Sequence, residues 1–135
     1  MIRHTQAIIA DPARGDGNDT NGIPGDCWKA CIASLLEVED YDSVPHFVAM
    51  DEWWRETCAY VWGRAGKGLM KWRDRTLLPE GIELFIGTGP SPRGDFYHAV
   101  IVDREGNLVH DPHPSQLGIL EVEEFFAPVG MSVAS

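Results

Sequence analysis

The sequence predicts a single α+β domain in which N-terminal helices pack on a C-terminal antiparallel sheet. Apolar residues recur at helical spacing in the first half of the chain, whereas the second half is rich in glycine and β-branched residues and alternates like strands. Helices followed by antiparallel strands are typical of the α+β class. The 135 residues, 44% of them hydrophobic, suit one domain spanning 1–135 with one core.

The first 26 residues are predicted to form a long exposed loop that ends at a helix. Asp, Asn and Gly dominate the segment 16–26, and these residues favour turns over helix or strand. A helix is predicted over 27–37, where Trp28, Ile32 and Leu35 recur at helical spacing and Asp26 is placed to cap the first turn. We expect this helix to bury its apolar face.

Two more helices are predicted before the sheet. One covers 50–65, because Trp54, Cys58 and Trp62 share a face and acidic residues precede them. The other is a short helix over 69–78 that ends before a proline.

The last third of the chain is predicted to be mainly strands joined by turns. In order, we predict a strand over 82–86, a turn-forming loop over 87–94, a strand over 96–102, a hairpin turn over 103–106, a returning strand over 107–111 and a last helical turn over 121–126.

Composition limits the classes of partner and the compartment. A net charge of -10 and a pI near 4.7 oppose nucleic-acid binding, which relies on clustered Lys and Arg, and favour a peptide-like or cationic partner. No apolar run approaches the roughly 20 residues of a membrane span, and the N-terminus lacks a secretory signal, so we expect no membrane association. An odd number of cysteines, three, indicates free thiols in the cytoplasm.

One cysteine, one histidine and one aspartate form a candidate catalytic set. Cys27 falls in the first turn of a helix, where free N–H groups and the helix dipole favour a thiolate. His98 lies near the start of the strand predicted over 96–102. If Val102 pairs with Asn107, the hairpin sets His98 opposite Asp111, with the side chains roughly 5 Å apart. A carboxylate there would hold the imidazole tautomer and stabilise the imidazolium.

Other interpretations of these residues remain open. Cys31 and Cys58 are expected to be packed thiols, and burial is the common state of any cysteine. His110 and His113 flank the aspartate and compete with the proposed histidine. Together with Cys27 and Cys31, they also have the ligand chemistry of a zinc site, although an ordinary amphipathic helix start disfavours that arrangement.

An anionic tetrahedral intermediate needs hydrogen-bond donors aimed at its oxygen. The backbone N–H of Cys27 is one candidate. The side-chain amide of Asn21, six residues earlier, is a second, and Asn18 is an alternative to it; each is also an ordinary turn residue. Arg93 lies beside the predicted cleft, where it would either meet a substrate carboxylate or be solvated.

The segment Gly25-Asp26-Cys27-Trp28-Lys29-Ala30-Cys31 resembles the Asp-Cys-Gly-x-Ala-Cys helix start of the papain-like peptidases that process double-glycine bacteriocin leaders. Tyr97 to Val102 followed by His110-Asp111-Pro112 is similar to the histidine strand and Asp-Pro of that family, and Leu120 to Phe125 to its closing acidic turn. The resemblance implies a papain-like fold and catalytic roles for Cys27, His98 and Asp111.

The family places a glutamine six residues before its cysteine in the oxyanion hole, and Asn21 would take that role here. Trp28 replaces a glycine after the nucleophile, which implies a differently shaped cleft entrance. The Gly-Pro-Ser-Pro-Arg-Gly and His-Asp-Pro-His-Pro stretches also resemble small proteins encoded by bacteriophages and their hosts. That second likeness implies a cytoplasmic, phage-related role.

The expected function is a cysteine hydrolase that cleaves a peptide, isopeptide or related amide bond and needs no metal or cofactor. An amine acyltransferase would use the same three residues. The alternative from another class is a catalytically idle binding module with the same fold, such as a phage-encoded protein that sequesters a host factor.

Overall fold

The computed structural model describes residues 1–130, and within them two α-helices precede a five-stranded antiparallel sheet. The elements are α1 (Cys27–Leu35), α2 (Trp53–Ala65), β1 (Lys67–Trp72), β2 (Phe85–Pro90), β3 (Tyr97–Val102), β4 (Leu108–His110) and β5 (Glu124–Gly130), with short 3-10 helices at Tyr41–Ser43, Phe47–Ala49 and Arg75–Leu77. The strand order is β1-β5-β2-β3-β4. The predicted α+β class is confirmed. The last five residues of the predicted domain lie outside the described part.

The sheet is buried on both faces. Helix α1 packs against β2 and β3, and α2 packs against β1. Because side chains alternate along a strand, neighbouring residues enter different apolar clusters. The helix side contains Ile32, Phe47, Val61, Ile86, Ile101 and Phe126, and the other side contains Leu78, Phe85, Val100, Val102, Phe125 and Ala127. This two-sided core fixes the position of β3, which carries His98.

The first two predicted helices are confirmed, with shifted ends. Helix α1 begins at Cys27 as predicted and ends at Leu35, and Glu37 just beyond it has a φ of 55° that no α-helix continues through. Helix α2 starts three residues later than predicted and is ended by Gly66, whose φ of 65° is the left-handed conformation that glycine adopts readily. No helix within residues 1–130 is long and apolar enough to cross a membrane.

The two remaining helix predictions are wrong, for one shared reason. The segment predicted as a helix over 69–78 forms most of β1 and a 3-10 turn, and the helical turn predicted over 121–126 gives way to β5. These strands pair with each other, Leu69 opposite Pro128 and Trp72 opposite Phe125. Pairing between segments more than 50 residues apart decides their conformation, and no local pattern encodes it.

The strand predicted over 82–86 lies further along the chain. Strand β2 runs through Gly87 and Gly89, which the sequence suggests as turn residues. Because both glycines lack a side chain, other segments of the protein can pack closely against their backbone. A Cβ on Gly89 would lie 1.8 Å from the carbonyl oxygen of Glu121, and one on Gly87 would lie 3.0 Å from a methyl of Val102. Their role is therefore packing within the sheet rather than chain reversal.

The N-terminal 26 residues contain no α-helix or extended strand, as predicted, but they are not simply an exposed loop. Gln6, Ala10 and Asp26 are buried. The backbone N–H of Gln6 donates to the carbonyl of Pro112 at 3.0 Å, and the N–H of Asp26 donates to the carbonyl of Ile8 at 3.2 Å. The segment 6–8 thus lies between the start of α1 and the turn that follows β4.

Candidate active site

Cys27 is the first residue of α1 and is half-buried. The predicted cap is wrong, because the Asp26 side chain makes no hydrogen bond to the helix. Its carboxylate instead accepts from the N–H groups of Ala7 at 3.2 Å and Ile8 at 2.8 Å and from the hydroxyl of Tyr41 at 2.6 Å. The N–H groups of the first turn are therefore not covered by Asp26. They remain positioned beside the thiol, where an anion would be stabilised.

The surroundings of the Tyr41 hydroxyl, including the Asp26 carboxylate, change its pKa. Burial, and then the hydrogen bond and negative charge of Asp26, raise the pKa of the Tyr41 hydroxyl. Tyr41 therefore stays neutral and donates. Its ring also lies under the Lys29 ammonium, 4.2 Å from the ring centroid. These contacts hold the N-terminal segment, the head of α1 and the 3-10 helix at Tyr41–Ser43 together.

His98 and Asp111 form a buried pair. Nε2 of His98 lies 2.7 Å from Oδ1 of Asp111, and their side chains are 3% and 0% exposed. Burial by itself would lower the pKa of His98, but the hydrogen bond to Asp111 and the interaction with the Cys27 thiol outweigh it and raise the pKa to about 9. Because Nε2 faces the carboxylate, Nδ1 is the ring nitrogen left to face another group.

Asp111 is held by more than the histidine. Its Oδ1 also accepts from the N–H of His113 at 2.9 Å, and its Oδ2 accepts from the N–H of Gly118 at 2.8 Å. Burial would raise the pKa of this carboxyl, but the bonds from His98 and the two backbone groups reverse that effect and lower it. The carboxylate is thus anionic and fixed in orientation.

The predicted hairpin register is wrong, although the contact it was meant to create is present. Ile101 pairs with His110 and Val102 with Leu108, with an irregularity between them, so Val102 does not pair with Asn107. Strand β4 ends at His110, and Asp111 reaches His98 from the bend that follows. Tight packing around that bend, rather than a ladder position, brings the two side chains together.

Cys27 and His98 line two cavities in common. One, of about 270 Å³, is walled mainly by apolar side chains, and its full lining is Cys27, Trp28, Val48, Trp53, Thr88, Tyr97, His98, Ala99, Glu124 and Phe126. The other, of about 50 Å³, is lined by Gln6, Ala10, Gly17, Gly25, Cys27, Arg93, Phe96, Tyr97 and His98. The thiol therefore stands between an apolar cavity and a small polar one, which we call the polar niche.

Trp28 is buried and does not project into solvent at the cleft entrance. It is 4% exposed, its Nε1 donates to the Thr57 hydroxyl at 3.1 Å, and its ring packs edge-on against Phe126 and Trp53. The indole instead forms part of the floor of the apolar cavity. A glycine at this position would leave that floor open.

The other two cysteines lie in less reactive surroundings. Cys31 is fully buried, and its burial, with the nearby charges of Cys27 and Asp111, raises its pKa well above the ordinary value. Burial also raises the pKa of Cys58. A thiol with a raised pKa is less often the reactive thiolate at neutral pH.

The competing histidines have other partners. Nε2 of His110 lies 2.7 Å from the carbonyl of His4, and Nδ1 of His113 accepts from the N–H of Ser115 at 2.9 Å. The His113 ring stands edge-on to His98, and burial followed by the charge of Arg93 lowers its pKa. Among residues 1–130, no group of three or more His, Cys, Asp or Glu side chains is arranged to hold a metal ion. The zinc alternative is therefore without a supporting cluster there.

The two candidate amides lie away from the cavities that contain Cys27. Asn21 is exposed in the loop and its N–H donates to the Asp19 carboxylate at 2.9 Å. Asn18 is occupied by Asp16, to which its side-chain amide donates at 3.5 Å. Neither lines the polar niche.

Sequence reasoning missed Gln6. Its side chain is buried, lines the polar niche and donates through Nε2 to the Ile8 carbonyl at 2.8 Å, while its Oε1 is buried without a partner. An amide has two N–H donors on its nitrogen, so one is left for a ligand beside Cys27. No sequence signal marks it, because Gln6 lies 21 positions before Cys27 in a loop that only tertiary packing brings to the site.

The arrangement has the parts needed for nucleophilic acyl transfer. A thiol stands at a helix start, a buried imidazole next to it is oriented by a carboxylate, and backbone and side-chain N–H groups are nearby. Comparisons of the chain with protein-family models, with curated proteins and with solved structures found no match. The chemistry and geometry of these residues are therefore the basis for assigning a function.

Proposed function

We propose that this protein is a papain-like cysteine hydrolase that cleaves a peptide, isopeptide or related amide bond, with Cys27 as nucleophile, His98 as base and Asp111 as the residue that orients the base. One observation carries the proposal: a buried imidazole, 2.7 Å from a fully buried carboxylate, lines the same cavities as a thiol at a helix start. The alternative is that His98 and Asp111 form a purely structural hydrogen bond, but such a bond would not require a thiol beside it.

In the first half of the reaction, the Cys27 thiolate attacks the amide carbonyl carbon, and a C–S bond forms as the carbonyl oxygen becomes an oxyanion. The C–N bond then breaks, and the leaving amine takes the proton held by the His98 imidazolium. In the second half, water gives a proton to His98 and its oxygen attacks the thioester; the C–S bond breaks, a carboxylic acid is released, and the Cys27 thiolate and His98 imidazolium are restored. Asp111 keeps Nε2 of the ring engaged throughout, so that Nδ1 exchanges protons with the reactants.

Two donors are suited to the oxyanion. One is the Cys27 backbone N–H, in a first turn that Asp26 does not cap. The other is the second N–H of the Gln6 side chain, which takes the place that the sequence suggested for Asn21. We expect Gln6→Ala to lower kcat for a peptide substrate by about a hundredfold, with KM changed much less, as for loss of one oxyanion donor. Asn21→Ala is the matched control, expected to retain activity within about threefold.

The cavities favour substrates with an apolar group on one side of the scissile bond. Trp28, Trp53 and Phe126 provide aromatic surface in the larger cavity, and aromatic walls are typical of sites that bind apolar side chains. With its net charge of -10, the protein is unsuited to nucleic acid. We propose a peptide or protein substrate in the cytoplasm, in a setting related to bacteriophages.

Selective alkylation tests the proposal without knowledge of the substrate. The protein is treated with substoichiometric iodoacetamide near neutral pH, and mass spectrometry measures the labelling rate at each cysteine. We expect Cys27 to label at least about tenfold faster than Cys31 or Cys58, because the environment of each of the other two raises its pKa. His98→Ala should slow labelling of Cys27.

Equal, slow labelling of all three thiols, unaffected by loss of His98, would instead favour the idle binding module. The acyltransferase alternative is tested separately, once a cleavable peptide is found, by adding a primary amine to the reaction. A transferase yields the amide of the added amine, whereas a hydrolase yields the free acid. Cys27→Ala should abolish either product.

A further inference from the structure

The polar niche contains a cation and an amide whose hydrogen-bonding groups are not fully used. Nε of Arg93 is buried without a hydrogen-bond partner, and its guanidinium makes no ion pair within residues 1–130. Gln6, 6% exposed, has a buried Oε1 that also has no partner. Buried polar groups in native proteins are normally paired, so two unpaired groups on residues that line one cavity mark that cavity as a candidate binding site.

Asp111, whose charge acts on Arg93, makes no ion pair with it. Asp111 interacts favourably with the guanidinium charge but already accepts hydrogen bonds from His98, His113 and Gly118. Partial burial lowers the pKa of Arg93, yet a guanidinium remains charged at any physiological pH. The Arg93 guanidinium thus lines the niche beside the thiol without an ion-pair partner among residues 1–130.

The loop between β2 and β3 is built to hold Arg93 in place. The N–H of Ser91 donates to the carbonyl of Phe96 at 2.9 Å, and the N–H of Arg93 donates to the Ser91 hydroxyl at 3.1 Å. The Phe96 ring closes over Gly94, where a Cβ would lie 2.4 Å from a ring carbon, and the guanidinium carbon is 5.8 Å from the ring centroid. These contacts fix the backbone of Arg93 and place its partly exposed side chain beside the Phe96 ring in the niche wall.

We propose that the polar niche binds a carboxylate of the substrate, so that the preferred substrates carry a free carboxylate close to the scissile amide. Arginine matches a carboxylate through the parallel N–H donors of its guanidinium. The niche volume of about 50 Å³ suits a group of this size rather than a large side chain. This inference rests on the proposed function, because it concerns the same site.

Two alkylating reagents of matched shape test the charge preference. Iodoacetate and iodoacetamide each form a C–S bond with the Cys27 thiolate and release iodide, but only iodoacetate carries a carboxylate. We compare the ratio of their rates at Cys27 in the wild type, in Arg93→Gln and in Arg93→Lys. The ratio cancels any change in the thiolate itself, since both reagents consume the same thiolate.

We expect the ratio of iodoacetate to iodoacetamide rates to be at least about tenfold higher in the wild type than in Arg93→Gln, as for loss of a charge-assisted hydrogen bond. Arg93→Lys should lie between them, because it keeps the charge but not the two-pronged geometry. Arg75→Gln is the control, because Arg75 is exposed in the 3-10 helix at Arg75–Leu77 and does not line the niche; it should leave the ratio unchanged.

Protection experiments separate the two sources of a carboxylate. N-acetylglycine presents a terminal carboxylate, N-acetylglutamic acid α-amide presents a side-chain carboxylate, and N-acetylglycinamide presents none. Slower iodoacetamide labelling with either acid, but not with the neutral amide, supports the proposal and identifies the source. A rate ratio that agrees within about twofold in wild type and Arg93→Gln overturns it and leaves the hydrolase proposal standing. Failure of Cys27 to label selectively with either reagent overturns both.

Discussion

Replacing Asp111 by asparagine removes a negative charge from beside His98 while keeping nearly the same side-chain shape. The wild-type carboxylate is fully buried and lies 2.7 Å from Nε2 of a histidine that is 3% exposed. Burial alone lowers the pKa of His98, and the interaction with Asp111 is the first of the effects that oppose it. In Asp111→Asn we therefore expect the pKa of His98 to fall well below its wild-type value of about 9, because the hydrogen bond and charge of Asp111 are lost while the burial remains.

The size and direction of the stability change follow from this pKa. A histidine raised from 6.5 to about 9 on folding contributes about 3 kcal/mol to the free energy of unfolding. Because the folded-state pKa is the higher one, that contribution is fully present below pH 6.5 and is lost as the pH rises through about 9. The pKa of Asp111 is lowered, so its carboxylate remains charged throughout this range.

Urea denaturation at about pH 6 and about pH 10 measures the effect, and NMR titration of the His98 ring measures its pKa directly. Other groups also titrate between these values, so the informative quantity is the difference in free energy of unfolding between wild type and Asp111→Asn. We expect it to shrink from the lower to the higher pH by up to about 3 kcal/mol, the share of the His98 contribution that depends on Asp111 rather than on Cys27. An equal difference at both, or a wild-type His98 pKa at or below 6.5, would refute the reasoning.

The remaining predictions concern the framework that holds the site. Asp26→Ala leaves three donors without their buried carboxylate and should lower the free energy of unfolding by about 3 kcal/mol, whereas Tyr41→Phe removes only one of the three bonds and should lower it by about 1 kcal/mol. Urea midpoints at constant m-value compare the two variants, and equal losses of stability would contradict the assigned contacts. Gly89→Ala should destabilise by more than about 3 kcal/mol, because its Cβ would lie 1.8 Å from the carbonyl oxygen of Glu121. Gly63→Ala, in open space on α2, should stabilise by about 0.5–1 kcal/mol, and thermal unfolding that ranks these two glycine variants in the opposite order would be inconsistent with the packing of β2.

The candidate site was predictable where residue type and local position carry the chemistry. Cys27 is recognisable because a polar loop leads into a helix at that residue, and the structure starts α1 there. His98 and Asp111 are recognisable because a hairpin joins their segments, and they are in contact even though the register differs. The predicted contact forms although the predicted register is wrong, because a side chain in the bend after a strand can reach a neighbour that is not its cross-strand partner.

Residues contributed by distant or irregular segments were not predictable in the same way. Gln6 reaches the polar niche because backbone bonds tie its segment to Pro112 on one side and to Asp26 on the other. Asn21 has the expected sequence spacing from Cys27 but lies in an exposed turn. Sequence spacing constrains position along a helix or strand, whereas in a loop it says little about where a side chain points.

By itself, the sequence determined the α+β class, the helix that presents Cys27 and the identity of the three residues proposed for catalysis. Local periodicity and charge carry that information, because each depends on residues within a few positions of one another. Only the tertiary structure decided that β1 and β5 are strands, that two glycines lie inside β2, and that Gln6 and Arg93 share a niche with the thiol. Those features arise from contacts between segments far apart in the chain, and their free energy is realised only when the whole core assembles.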